Sequence, residues 1–154
     1  MKIRPIIILM TILLVISCNS KSNRNHQVNK TANNSKEHST MENQSIEAQI
    51  ASLKRSMTDY MESAHPNYTE KDIEKCVQIL NEYNIRMANS KSKEDGMQIV
   101  KTTVLKLNEL NENSGEDLIE TGEREAIANI IITVGHNKGY NSEDEDITEE
   151  WREW

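Results

Sequence analysis

The sequence contains little of the material from which β-proteins and disulfide-rich proteins are built. Of its 154 residues, none is Phe, only 4% are aromatic, 5 are Gly and 2 are Pro. Because sandwiches and barrels need many turns and many β-forming aromatic side chains, this composition disfavours an all-β fold. The 2 Cys residues are too few for a disulfide framework. The length allows one ordinary domain.

Positive charge is also scarce. Lys and Arg together number 18 and Asp and Glu number 25, so the formal net charge is 18 − 25 = −7. Nucleic-acid binding requires clustered Lys and Arg side chains for contacts with phosphates, and this balance argues against it. From residue 41 onward the charge is 12 − 24 = −12. We therefore predict an acidic domain over residues 41–154.

The N-terminus has the features of a targeting segment. Lys2 and Arg4 form a short basic region, and an apolar run from Pro5 to Ile16 follows it. The run is shorter than the ~20 residues that a membrane-spanning helix needs, but it matches the apolar region of a signal peptide. It leads into the motif Val15-Ile16-Ser17-Cys18, with an apolar residue three positions before the Cys and a small residue directly before it.

This motif resembles the lipobox of bacterial lipoproteins. The resemblance implies that residues 1–17 are a cleaved signal peptide and that the Cys18 thiol carries a diacylglycerol. Two or three acyl chains would then anchor the protein stably in a membrane of the cell envelope, facing the periplasm or the outside. The alternative is an uncleaved N-terminal anchor helix in which the Cys is incidental.

Residues 18–40 are predicted to be a disordered linker that follows the lipidated Cys. The stretch is rich in Asn and Ser and has four basic residues against one acidic residue. Such a segment cannot bury enough apolar surface to offset the entropy of ordering it. It would act as a solvated spacer or, through its positive charge, lie on anionic headgroups.

Apolar residues recur at helical spacing through the acidic domain. The pattern predicts a first helix from about residue 46 to residue 64, ended by His65-Pro66. Capping boxes at Thr69 and Ser92 open a second and a third helix. Thr121 opens a fourth, which includes the β-branched run of residues 130–134 and ends at a Gly139 cap.

A short fifth helix is predicted from Ile147 to Trp154, capped by Asp146. The fold class is therefore all-α, a four- to five-helix antiparallel bundle that follows the signal peptide and the linker. Cys76 lies on the apolar face of the second helix, where we expect a small buried side chain.

Two groups of residues near the C-terminus are candidates for binding a partner. The acidic run comprises Glu143, Asp144, Glu145 and Asp146. It is interpreted as helix-start charge on a solvated face, as a loose cation site or as a recognition surface for a basic partner; its spacing is not that of an EF-hand. Trp151 and Trp154 share a helical face with Ile147, so they either close the end of the core or offer an exposed aromatic anchor.

The sequence has no pattern that is typical of catalysis or of a bound cofactor. We find no nucleophile–base arrangement, Gly-rich phosphate loop, paired catalytic carboxylates or zinc-ligand spacing. The prediction is a protein that is not an enzyme and that binds no metal or cofactor.

The segments Asp117–Glu125 and Ile147–Trp154 resemble small, acidic, helical bacterial domains of unknown function. That resemblance implies no activity and no functional residue.

The sequence therefore predicts a lipid-anchored envelope protein that binds another envelope protein without catalysing a reaction. One form of this function is an immunity protein against a basic toxin, since opposite charge speeds encounter. The alternatives are a hydrolase that uses acidic residues such as Glu120, Glu123 or Glu149, and a structural or small-ligand-binding lipoprotein with an apolar pocket between helices.

Overall fold

The computed structural model describes residues 34–154, with side chains from Ile46 onward. The predicted signal peptide, Cys18 and most of the predicted linker lie outside these residues. Within this range the regular secondary structure is four α-helices and no strand, which confirms the all-α class. The helices are α1 (Asn34–Ala64), α2 (Glu70–Asn89), α3 (Lys93–Asn113) and α4 (Thr121–Asn137).

Helix α1 begins before the predicted start near Ile46. No Pro or Gly occurs between residues 34 and 64, so no residue of the segment interrupts a helical backbone. The helix ends where His65 takes a left-handed conformation, with φ of 53°. The His65 N–H donates to the Met61 carbonyl at 3.2 Å, and Pro66 follows.

The two predicted capping boxes both open helices. At the start of α2, the Thr69 N–H donates to the Asp72 carboxylate at 2.9 Å. At the start of α3, the Asp95 N–H donates to the Ser92 hydroxyl oxygen at 3.2 Å. Each side chain satisfies a backbone donor that a helix end leaves without an internal partner.

A glycine with positive φ ends α4 as predicted. Gly139 has φ of 77°. Its N–H donates to the His136 carbonyl at 2.7 Å, and the Tyr140 N–H donates to the Gly135 carbonyl at 3.0 Å. This pair of bonds is a Schellman motif, and Gly115 makes the equivalent turn after α3 with φ of 78°.

The helices pack around one hydrophobic core. α2 contacts α1, α3 and α4, and α1 also contacts α4. The face of α2 that lies in the core differs at one position from the predicted apolar stripe, because Ile79 is buried and the predicted Val77 is only partly buried. The buried residues are Ile73, Cys76, Ile79, Leu80, Tyr83 and Met87. The predicted apolar residues of α3 and α4 are buried as well, including Val100, Val104, Leu107, Ile127, Ile130, Ile131 and Val134.

Two buried tyrosine hydroxyls connect parts of the core. The Tyr83 hydroxyl on α2 donates to the Ile131 carbonyl on α4 at 2.8 Å. The Tyr68 hydroxyl, in the connection between α1 and α2, donates to the Met57 carbonyl at 2.9 Å. Burial, with the nearby charge of Glu123 adding to it, raises the pKa of Tyr68 to about 12. Both phenols therefore stay protonated and act as hydrogen-bond donors.

Residues 140–154, which we call the C-terminal segment, follow α4 and form turns. Over residues 147–151, where the sequence predicts a fifth helix, the chain is a hydrogen-bonded turn. The Arg152 N–H donates to the Thr148 carbonyl at 3.1 Å, which is the bond of a single α-helical turn. Asp146 accepts the Thr148 N–H at 2.9 Å, and side chains of this type favour local turns of this kind.

Among the described helices, none combines the length and the apolar character that crossing a membrane would require.

Candidate functional site

The C-terminal segment is attached to the end of α4 through Asn141. The Asn141 side-chain amide donates to the Ile132 carbonyl at 3.1 Å. Its backbone carbonyl lies 3.0 Å from Nδ1 of His136. Gly135 makes this close approach possible, because a Cβ at that position would collide with Oδ1 of Asn141 and would lie 2.9 Å from Cδ1 of Ile147.

Asn108 on α3 holds the far end of the same segment. Its side-chain nitrogen donates to the Trp151 carbonyl at 2.8 Å. Its side-chain oxygen accepts the Glu153 N–H at 3.3 Å. The C-terminal segment is thus fixed by side-chain bonds at α4 and again at α3, although it has no regular secondary structure.

The structure gives the two tryptophans different surroundings. Trp154 is 7% exposed and belongs to the hydrophobic core together with Ile147. Trp151 is half-buried at the edge of that core. The ammonium of Lys101 lies 5.9 Å from the centre of the Trp151 ring, at a distance where a cation and an aromatic face attract each other. Trp154 therefore closes the core, and Trp151 presents part of its ring to solvent.

The acidic run is divided between solvent and a local network. Glu143, Asp144 and Glu145 are exposed. Asp146 is half-buried and accepts a bond from Arg152 at 3.0 Å.

Burial opposes the ionisation of Asp146, but hydrogen bonds from Thr148 and the charge of Arg152 outweigh that effect and lower its pKa. Asp146 organises the turn, whereas its three neighbours face water. The salt bridges formed among the described side chains do not include those three neighbours.

The C-terminal segment exposes other carboxylates besides these three. Glu149, Glu150 and Glu153 are also exposed. We call this set the acidic surface: Glu143, Asp144, Glu145, Glu149, Glu150 and Glu153. Arg152, the one basic residue between positions 143 and 154, is bonded to Asp146. The acidic surface therefore keeps its negative charge.

The described residues do not assemble a metal site. Among them, no three His, Cys, Asp or Glu side chains converge so that they could hold an ion. The exposed carboxylates of the acidic run supply a charged surface.

Nothing in the described residues points to catalysis. Glu120 and Glu149 are exposed, and Glu123 is half-buried beside a groove between α1 and α4. The carboxyl groups with shifted pKa values are all shifted downward, which is opposite to the change that makes a carboxyl group a general acid near neutral pH. They are Asp72, Glu82, Glu94 and Asp146.

Cys76 is fully buried, and that burial, together with the charge of Glu123, raises the pKa of its thiol to about 12. A buried, protonated thiol is a poor nucleophile.

The clefts of the described residues are open to solvent, and one of about 610 Å³ lies along α2 beside Lys71, Glu74 and Ile85. One of about 420 Å³ lies where α3, the start of α4 and the C-terminal segment meet. It is lined by Asn108, Asn111, Glu112, Glu116, Ile119, Arg124, Glu153 and Trp154. A smaller groove of about 310 Å³ between α1 and α4 has a mixed lining that includes Ser52, Ser56 and Asn129. Small-molecule sites are usually enclosed and mainly apolar, and none of these three clefts is enclosed.

Sequence reasoning missed Asn108 and Gly135, which hold the C-terminal segment in place. A single sequence gives no signal for either residue, because a polar residue or a glycine can occur within a helix for many different reasons. Leu105 does carry a signal in the sequence, because it is apolar yet lies off the apolar face of α3.

The chain was compared with protein-family models, with curated proteins and with solved structures, and none of the three comparisons gave a match.

Proposed function

We propose that this chain is a lipid-anchored protein of the cell envelope whose acidic surface binds a basic partner protein without catalysing a reaction. The observation that carries the proposal is the arrangement of the C-terminal segment. It presents unneutralised carboxylates on a backbone that Asn108 and Asn141 fix to the helices.

A surface fixed in this way is suited to recognition. Binding requires the interacting groups to be ordered, and a segment that is already ordered loses less entropy on binding than a free tail does. Negative charge at the surface attracts a basic partner and speeds the encounter, with a rate that falls as salt screens the charges. An immunity protein against a basic toxin is one protein that would use such a surface.

The anchoring half of the proposal rests on the sequence motif that ends at Cys18. In this proposal residues 1–17 are removed as a signal peptide, and residues 18–40 link the acyl chains to the acidic domain at residues 41–154. The domain then faces the periplasm or the outside. The proposed arrangement of its helices is an antiparallel bundle with the C-terminal segment as a fifth element. The short connections at residues 65–69 and 90–92 support it, since they return the chain beside the preceding helix.

Intact-mass analysis of the protein made in a bacterial host tests the anchor. We expect a chain that starts at Cys18 and is heavier than its peptide mass by at least a diacylglycerol. Cys18→Ser should abolish the added mass and release the protein from membranes. Cys76→Ser is the matched control and should keep the lipid, because Cys76 is buried in the core. A wild-type chain with an unmodified Cys18 would refute lipid anchoring.

Affinity capture from envelope extract tests the binding surface. The test variant replaces Glu143, Asp144 and Glu145 by their amides. The control variant makes the same change in charge at exposed positions of α1, by neutralising Glu47, Asp59 and Glu62. A partner should be captured at low salt by the wild type and the control, but not by the test variant. If every captured protein is retained equally by both variants, the acidic surface is not the binding site.

A further inference from the structure

Leu105 on α3 is an apolar side chain in solvent. It is 46% exposed, although α3 buries its other large aliphatic residues in the core. Only two other large apolar side chains among the described residues are comparably exposed, Tyr60 and Ile85. Single exposed apolar residues are common and need no special cause, so the surroundings of each decide its meaning.

The surroundings of Leu105 include the exposed part of Trp151. Lys101 lies four residues before Leu105, and Asn108 lies three residues after it. All three side chains therefore share one face of α3. Lys101 lies near the Trp151 ring, and Asn108 binds the Trp151 carbonyl. Trp151 therefore crosses α3 between these two residues, at the level of Leu105. We call these two partly exposed apolar side chains, which share this face of α3, the Leu105–Trp151 centre.

Charged side chains flank this centre: the Lys101 ammonium lies over the Trp151 ring, and exposed carboxylates lie near Trp151 and Leu105 along the chain. Glu149 and Glu150 directly precede Trp151, and both are exposed. Glu109 and Glu112 follow Leu105 on α3 at spacings of four and seven residues, and both are exposed. Among the described side chains, none of these four carboxylates forms a salt bridge.

We propose that the Leu105–Trp151 centre binds a basic amphipathic segment of the partner protein, with an apolar side chain of that segment packed against Leu105 and Trp151. Lys and Arg side chains of the segment then pair with the four surrounding carboxylates. The inference rests on the proposed function and specifies the chemistry of the partner. Charge complementarity selects this occupant, because the four carboxylates outnumber Lys101 at the centre, and the resulting negative charge disfavours both an anionic membrane surface and a second copy of this acidic domain.

An aromatic ring at the centre of a polar rim is the usual arrangement of an energetic hot spot. Removal of water from the rim strengthens the charge pairs, and the apolar centre supplies the area that is withdrawn from water. Leu105 should therefore contribute to affinity, while an apolar residue exposed elsewhere on the surface should not. Ile85 on α2, which is 63% exposed, is the matched control.

The test titrates full-length protein in a mild non-ionic detergent with a short synthetic helical peptide of leucine and lysine. The peptide contains no tryptophan, so the emission reports only Trp151 and Trp154, the 2 tryptophans of the chain. Trp154 is already buried, and a blue shift on binding therefore reports that Trp151 has been covered. Partition of the peptide into empty micelles is measured and subtracted. Circular dichroism confirms that each variant keeps the wild-type helix content.

We expect Leu105→Ser to weaken peptide binding at least about fivefold. Ile85→Ser should stay within about twofold of the wild type, because a surface change away from an interface has little effect. The double variant Glu149→Gln, Glu150→Gln should bind more weakly and with less dependence on salt. An equivalent peptide with glutamate in place of lysine should not bind.

If the Leu105→Ser and Ile85→Ser proteins bound the peptide with equal affinity, the role of the Leu105–Trp151 centre in binding would be refuted. If the glutamine variant still bound weakly in that case, the acidic surface and the proposed function would stand. A lysine-only peptide that bound as tightly as the leucine and lysine peptide would also refute the role of the apolar centre in binding. It would leave the proposed function intact. Equal binding of the glutamate peptide would instead refute the basic partner, and with it the proposed function.

Discussion

Replacing Gly135 by Ala should destabilise the protein, although alanine is the better helix former. Gly135 lies in α4, directly beneath the C-terminal segment. A Cβ at this position would press on Oδ1 of Asn141 and would lie 2.9 Å from Cδ1 of Ile147. The Asn141 amide cannot turn aside freely, because its nitrogen is bonded to the Ile132 carbonyl. The added methyl group therefore has to displace the C-terminal segment.

The magnitude follows from three contributions. Overpacking a well-packed site costs about 1–3 kcal/mol. Loss of the Asn141 hydrogen bond to Ile132 adds about 1 kcal/mol. Alanine returns about 1 kcal/mol through its higher helix propensity. The free energy of unfolding should therefore fall by about 1–3 kcal/mol.

Gly122 provides a control in the same helix. It lies in the first turn of α4, and a Cβ there would have no neighbour within 4 Å. Gly122→Ala should stabilise the protein by about 0.4–1 kcal/mol, because it restricts the unfolded chain without causing a clash. Urea unfolding followed by circular dichroism measures both variants. If Gly135→Ala is as stable as Gly122→Ala, the C-terminal segment does not pack on α4 as described.

Two substitutions and one chemical modification test other parts of the molecule. Tyr83→Phe removes a buried hydroxyl that donates to a carbonyl of α4, and urea unfolding should show a loss of about 1–2 kcal/mol. Burial opposes the ionisation of Asp146, but Thr148 and Arg152 hold its pKa below the usual 3.8. Its stabilising effect is therefore complete above about pH 4 and is lost as the pH falls, so the difference in unfolding free energy between wild type and Asp146→Asn should shrink in acid. Cys76, whose thiol pKa is raised to about 12, should react with a thiol reagent only after unfolding in urea.

Each of these three expectations has a result that contradicts it. Wild-type stability for Tyr83→Phe would mean that the hydroxyl finds equivalent partners in the unfolded chain. A stability difference for Asp146→Asn that does not depend on pH would show that the carboxylate acts through shape and not through charge. Rapid modification of Cys76 in the native protein would show that the core opens locally.

The sequence predicts the interior of the helices well because burial repeats with the helical period. On α2, for example, Ile73, Leu80 and Met87 recur every seven residues, and all three are buried. Helix ends were also predictable where a side chain or a glycine determines them. Thr69, Ser92 and Gly139 each act through their own backbone or a near neighbour, so the signal is local.

The C-terminal segment was harder to predict because its structure depends on distant residues. Ile147 and Trp154 have helical spacing, yet the chain there forms a turn that Asn108 and Asn141 hold against α3 and α4. Asn108 bonds to Trp151, which lies 43 residues further along the chain. Which tryptophan would be buried and which would be half-exposed depends on the same long-range contacts, and a periodic pattern cannot specify them.

The burial of Ile147 and Trp154 has a consequence for biosynthesis. A ribosome releases all four helices before it releases the residues that cover Gly135 and complete the core. Until then the core side chains that Ile147 and Trp154 contact stay open to solvent or to a chaperone. The final packing step of the core therefore comes only after translation has passed position 147.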